Sequence, residues 1–291
     1  MKRMGAVDMR LRPPLPTWVS KAQFNFDPDQ MFQQSGFRLP KSALSRSMEL
    51  LIHEMDEANV EWGVIMGRQS CEPHGVIPND EIAECINAYP NRFVAWAGLD
   101  LSRPMDWCLT EIRRCLKLPG FKGVSIEPTV ARGPKLLVAS DRSLYPIYEE
   151  CLKLNVPVNI SLSAFLQTRT PQHSFELANP AQIYAVARDF SKLDIHVAHA
   201  GWPWVAEMIG VLFTCPNVWL SPDIYLVKRI PMAQEFMKAA NTFCSDRSVF
   251  GTAYPARPHR ELVDAYEEWD WAPGVLQKVL RENALRLMKM Q

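Results

Sequence analysis

Near its start the chain reads Val7-Asp8-Met9-Arg10-Leu11-Arg12-Pro13-Pro14, with an acid and two arginines at every second position. Side chains of an extended strand alternate faces, so Asp8, Arg10 and Arg12 share one face. The apolar residues between them predict a buried strand. Guanidiniums turned inward are costly unless an anion meets them, and Asp8 can neutralise only one. The planar, forked guanidinium suits a carboxylate held by two hydrogen bonds. The spacing therefore predicts a pocket for a small carboxylate-bearing molecule.

Such a pocket needs a scaffold. Apolar runs at 5–11, 60–66, 93–99, 121–127, 156–162, 194–199, 217–221 and 248–252 predict strands. Between them, helical patterns lie near 42–59, 79–88, 105–117, 143–154, 179–191, 203–214, 231–243 and 259–270, with a last one near 273–289. Eight strands alternating with eight helices predict a (β/α)8 TIM barrel of the α/β class. At 291 residues the chain is long enough for one such core, and it reads as a single domain over 1–291. Between residues 13 and 41 it carries five prolines together with Trp18, Phe24, Phe26, Phe32 and Phe37. So long a connection after one strand is expected to be a lid over the pocket mouth, or else to pack its aromatics on the barrel rim.

Composition narrows the partners. The 32 Lys+Arg balance 32 Asp+Glu, without long runs of either sign, which argues against nucleic acid. No stretch of about 18 apolar residues is present for a membrane span. Met1-Lys2-Arg3-Met4 runs into the first strand without a signal-peptide apolar region, so a cytoplasmic location is expected. The seven cysteines never form CxxC and are odd in number, which fits reduced, buried thiols. Trp62, Trp269 and Trp271 on exposed helices could bury in a homo-oligomer.

In a TIM barrel the site lies at the C-terminal ends of the strands. Those ends carry Arg10 and Arg12, Arg68, Asp100, Glu127, Ser161 and Ser163, His199, Ser221 and Asp223, then Ala253 and Tyr254. His199 is the candidate general acid/base, since an imidazole moves protons near neutral pH. Asp223 could orient it or carry a second proton; Pro222-Asp223 is equally ordinary turn chemistry. Glu127 is expected to pair with Arg10 or Arg12, and Arg68 to add a third cation. Arg68, Glu127, Ser161 and Tyr254 form the expected substrate-binding set. No Gly-x-Ser-x-Gly elbow surrounds either serine, which argues against a serine nucleophile. His196, three residues before His199, is expected on the opposite strand face, against the helix layer. His53, His74, His173 and His259 are expected at the surface or satisfied locally, with His173 the nearest to the site.

The run Asp194-Ile-His-Val-Ala-His-Ala-Gly-Trp-Pro-Trp204 resembles the sixth-strand signature of the amidohydrolase-related family that includes aminocarboxymuconate semialdehyde decarboxylase. Pro216-Asn-Val-Trp-Leu-Ser221, Val249-Phe-Gly-Thr-Ala-Tyr-Pro255 and Glu282-Asn-Ala-Leu-Arg-Leu287 follow the same template in order. The resemblance implies a TIM barrel whose first strand opens Asp-x-His-x-His to bind a divalent metal, and a general acid/base at His199. It also implies a third ligand histidine closing the fifth strand and an aspartate in Phe-Gly-Thr-Asp-Tyr-Pro. Here those places hold Arg10, Arg12, the end of Val158-Asn-Ile-Ser161, and Ala253. Divalent cations need imidazole, carboxylate or thiolate donors. No catalytic metal, zinc included, is therefore expected, with the arginines standing in as fixed cations.

Two reactions fit that expectation. Hydrolysis of an ester, lactone or amide would use His199 as general acid/base, with Arg10 and Arg12 clamping the anion. Non-oxidative decarboxylation of an aromatic or dienoic acid would use the arginines as an electron sink and protonated His199 as donor. Arginines gripping the departing carboxylate would stabilise the ground state, so the sequence favours hydrolysis. The reading from another class is an inactive barrel kept as a binding protein; against it stands the cost of two inward arginines that nothing uses.

Overall fold

A computed structural model describes residues 5–135, 137–167 and 174–290. Seven parallel strands, β1 (Ala6–Leu11), β2 (Val60–Met66), β3 (Phe93–Gly98), β4 (Phe121–Ile126), β5 (Val158–Ser161), β6 (Ile195–Ala198) and β7 (Val218–Ser221), pair in sequence order. Helices between them cover the sheet, as expected of a TIM barrel.

The eighth predicted strand departs from expectation: no regular strand forms at 248–252. The segment nevertheless lies between β7 and β1. Val249 N donates to Leu220 O at 2.9 Å, Met9 N to Phe250 O at 3.0 Å and Arg12 N to Tyr254 O at 3.0 Å. The regular ladder fails because Thr252 N turns to Asp8 Oδ1, and Ala253 adopts a left-handed φ of 50°. The predicted helix at 42–59 divides into Lys41–Ser45 and Met48–Glu57, where Arg46 is left-handed and Ser47 Oγ caps Leu50 N.

Alternation sorts the strand residues between two apolar layers. Val158, Ile160, Ile195, Val197, Val218 and Leu220 face the helices. Val64, Met66, Val94, Trp96 and Trp219 fill the barrel interior with Leu287 and Met288 from the last helix. At the outlet of β2 and β3 a Cβ on Gly67 would sit 2.3 Å from Gly98 N. Glycine lets these strand ends meet and sets the position of Arg68.

Residues 13–41 form two 3-10 turns, Trp18–Ser20 and Ala22–Phe24, and one helix, Pro28–Ser35, capped by Asp27. Ala22 N donates to Pro73 O at 3.1 Å, and the Phe24 ring meets Tyr254 edge-on with centroids 6.3 Å apart. These contacts anchor the segment at the strand-end face.

Candidate active site

Arg10, from β1, is buried and crosses toward the outlets of β5, β6 and β7. Its Nη1 donates to Ser161 Oγ at 3.0 Å, and its Nη2 lies 2.8 Å from His199 Nε2. A guanidinium only donates, so Nε2 accepts and the imidazole proton resides on Nδ1. That proton faces Asp223 Oδ1 at 2.9 Å. Asp223 also accepts from His199 N at 3.0 Å and Ile224 N at 2.6 Å. Burial first, then the charge of Arg10, pushes the His199 pKa down to about 4. At neutral pH His199 is an uncharged imidazole of defined tautomer.

A second cluster joins β1, β2 and β4. Arg68 grips Glu127 with Nε at 2.7 Å and Nη2 at 2.8 Å, Arg12 Nη2 adds a contact at 3.0 Å, and Ser70 Oγ another at 2.6 Å. Burial alone would raise the Glu127 pKa, but Arg68 and Arg12 outweigh it and hold the carboxyl well below its ordinary range. Burial, followed by repulsion from Arg68 and Arg10, pushes Arg12 down. Arg10, Arg12 and Arg68 set against Glu127 and Asp223 leave one net positive charge in this neighbourhood.

Between the two clusters lies a cavity of about 60 Å³. Its polar wall is Arg10, Arg12, Arg68, His74 and His199; Phe26, Phe165, Leu166 and Ile224 supply much of its apolar wall. Residues Ala22, Gln23 and Phe26 of the long segment line it as well.

A family model described as Amidohydrolase matches residues 53–289. The chain belongs to the amidohydrolase family. An uncharacterised TIM-barrel protein from Bordetella bronchiseptica superimposes with a TM-score of 0.89 at 33% identity, covering 98% of this chain and 99% of that one. A dihydroxybenzoic acid decarboxylase from Polaromonas, solved with bound manganese and 2-nitroresorcinol, gives a TM-score of 0.74 at 18% identity, over 99% and 98% of the two chains. Among curated proteins, a 2-amino-3-carboxymuconate-6-semialdehyde decarboxylase from Dictyostelium discoideum is 37% identical over 82 residues. That stretch is 28% of this chain and 21% of the relative.

In this member of the family, the residues standing where the sequence resemblance implied metal ligands do not form a donor set. Arg10 puts a guanidinium nitrogen on His199, Arg12 another on Glu127, and Ala253 contributes a methyl group. Among the described residues no three His, Cys, Asp or Glu side chains are arranged to hold a metal ion.

Several sequence-based assignments change. Asp8 does not pair with an arginine side chain; it accepts from Thr252, from Arg10 N at 2.9 Å and from His259 Nε2 at 3.1 Å. Ser161, expected to bind substrate, instead holds Arg10 in place. Glu127 pairs with Arg12 as expected, but it is saturated by protein partners and stands outside the cavity lining, so it offers no oxygen to a substrate. Tyr254 lines the cavity, but its hydroxyl is bonded to Ser42 Oγ at 2.8 Å, so its contribution there is a ring and not a polar group. Asp100 is taken by Ser102 and Arg132. Trp62 lies on β2 and not on a helix, and Trp269 and Trp271 are half-buried, donating to Leu226 O at 3.1 Å and Tyr266 O at 2.6 Å.

His196 is not against the helix layer. It points into the barrel, with Nδ1 2.8 Å from Asn159 Oδ1 and its ring edge-on to Trp96. The parity argument failed because β6 ends at Ala198 and His199 has a φ of +65°, which breaks strand alternation between the two histidines. His74 is also no surface residue: it is buried in the cavity wall with Nε2 donating to Leu166 O at 3.2 Å. His259 is buried on Asp8, His53 is exposed, and His173 lies outside the described residues. Gln23 and Phe165 were missed, and His74 was placed away from the site, because they sit in connections, where no periodicity marks a facing direction. Phe26 lines the cavity, in keeping with the expectation that the segment's aromatics cover its mouth.

Proposed function

We propose that this protein is a non-oxidative decarboxylase of a small, electron-rich aromatic or dienoic carboxylate, working without a divalent metal. The contact of Arg10 Nη2 with His199 Nε2 carries this reading. Hydrolysis needs a base for water, but Nε2 is freed from Arg10 only when an anion lies beside it, and that negative charge favours protonating the nitrogen, making it an acid instead of a base. Asp223 is equally engaged, accepting from three N–H groups. The earlier objection to decarboxylation also weakens: with Arg12 Nη2 held by Glu127, the guanidinium cannot offer its full fork to the departing carboxylate. Further support comes from the decarboxylases among the relatives.

The one net positive charge draws the substrate carboxylate into the cavity. Negative charge beside His199 competes for Arg10 and favours the imidazolium, whose Nδ1–H stays on Asp223. Nε2–H then protonates the carbon bearing the carboxylate. The C–C bond pair returns to the π system as CO2 departs, so RCOO⁻ and one proton give RH and CO2. Solvent reprotonates His199.

The test is a screen of aromatic and dienoic acids, esters and lactones for CO2 release and for acid release, with His199→Ala as control. CO2 release that His199→Ala abolishes is the expected result. For the protonated form of a group with a pKa of about 4, the active fraction shrinks tenfold per pH unit above that value. The rate constant kcat/KM should therefore fall as pH rises from 5 to 8. A rate that climbs with pH and levels off, with acid release from an ester or lactone, would restore general-base hydrolysis. Binding without turnover of any compound would favour the inactive barrel.

A further inference from the structure

Gln23 is the polar side chain of the cavity wall with no hydrogen bond at either end among the described residues. It sits on the 3-10 turn Ala22–Phe24, is only 7% exposed, and neither Nε2 nor Oε1 has a hydrogen-bond partner among the described residues. Buried amides are normally satisfied, and leaving both ends of one unpaired is costly. The arginines, serines, acids and His199 around it are engaged with one another, so the strand-borne part of the site was not built to receive this amide. Its backbone is not free to swing away: Ala22 N is held on Pro73 O and Phe24 on Tyr254. Arg10 Nε and Arg12 Nε, in the same wall, are further buried donors without a hydrogen-bond partner among the described residues.

We propose that Gln23 is a specificity-determining residue that hydrogen-bonds a hydroxyl or oxo group on the substrate, at a position other than the carboxylate, while the arginines take the anion. An amide offers one donor end and one acceptor end, which suits a hydroxyl in either sense. This rests on the carboxylate-substrate reading above, and it assigns the second polar group that the substrate must carry. The 60 Å³ cavity is well below the roughly 150 Å³ that accommodates a benzene-sized ligand. Admitting a ring therefore requires side chains of the apolar wall to give way while the anchored turn keeps the Gln23 amide at the cavity.

The probes are benzoate, the 2-, 3- and 4-hydroxybenzoates and neutral resorcinol, titrated calorimetrically against the full-length protein, with CO2 release followed separately. For wild type, at least one hydroxybenzoate should bind roughly tenfold more tightly than benzoate, the worth of one good neutral hydrogen bond. Gln23→Met, which keeps the length and removes both polar ends, should return that isomer to the benzoate affinity, with Tm unchanged or higher. Gln23→Glu should weaken every carboxylate, benzoate included, and spare resorcinol. The proposal is overturned if no isomer exceeds benzoate, if the advantage survives in Gln23→Met, or if Gln23→Met lowers Tm and leaves discrimination intact. Gln23-dependent discrimination without CO2 release would overturn the decarboxylase reading alone. CO2 release with discrimination that ignores Gln23 would overturn this inference alone.

Discussion

The two arginine–carboxylate groups of the site are built from the same residue types and differ in purpose. Around Glu127, two guanidiniums and a hydroxyl satisfy one carboxylate, and every contact ends within the cluster. Around Asp223, the carboxylate holds an imidazole, and the imidazole's other nitrogen faces Arg10 at the cavity wall. The first arrangement is closed and immobilises charge. The second is a chain with one end at the cavity, so it can pass a proton. Arg10 Nε also lies 3.6 Å from Asp223 Oδ2, so what separates the two groups is the titratable imidazole inserted beside the ion pair, not the amount of charge.

This contrast can be broken by neutralising each carboxylate in turn. Asp223→Asn removes the acceptor that fixes the His199 tautomer and supports the imidazolium. Turnover on the substrate found by the screen should fall by roughly 10³–10⁴, as when a histidine loses its orienting acid. Steady-state kinetics together with near-ultraviolet circular dichroism checks this; a loss under tenfold in a folded variant would put the proton chain elsewhere. Glu127→Gln should act on stability first, because it strands Arg12 and Arg68 as buried, uncompensated cations. A loss of roughly 3–5 kcal/mol in urea unfolding is expected. An unchanged midpoint would mean that the cluster is solvated and holds nothing together.

The smallest effect sharpens the comparison most. Arg10→Met leaves Asp223 on His199 and removes the cation that depresses it, so the His199 pKa should move up from about 4. Burial still holds it below the ordinary histidine value. Titration of the His199 ring resonances by NMR reads this directly. A value that stays or drops would show that Arg10 does not control the proton on Nε2.

Much of the scaffold was legible in the sequence because strands and helices repeat with short periods. Positions 60–66, 93–99 and 121–127 predicted β2, β3 and β4 within a residue, and helix 79–88 coincided with Asn79–Ala88. The Asp-x-Arg-x-Arg strand, His199 and Asp223 were also visible, as polar residues at the ends of apolar runs. Illegible were the departures from those periods. Left-handed backbone at His199, Asp223 and Ala253 re-aims side chains that alternation would have sent elsewhere. The same effect misplaced His196 and removed the eighth regular strand.

The sequence alone determined that this chain closes a barrel with several cations and one histidine at its strand ends, because composition and period act locally. Only the tertiary structure decided which cation meets which anion. Residues 10, 161, 199 and 223 are scattered along the chain, and ring closure brings them within hydrogen-bond distance. Which of several arginines takes Glu127 and which takes His199 depends on reach across that ring, and no local pattern encodes it. The same closure lays the turn of Gln23 over the cavity and leaves its amide, like Arg10 Nε and Arg12 Nε, without a hydrogen-bond partner among the described residues.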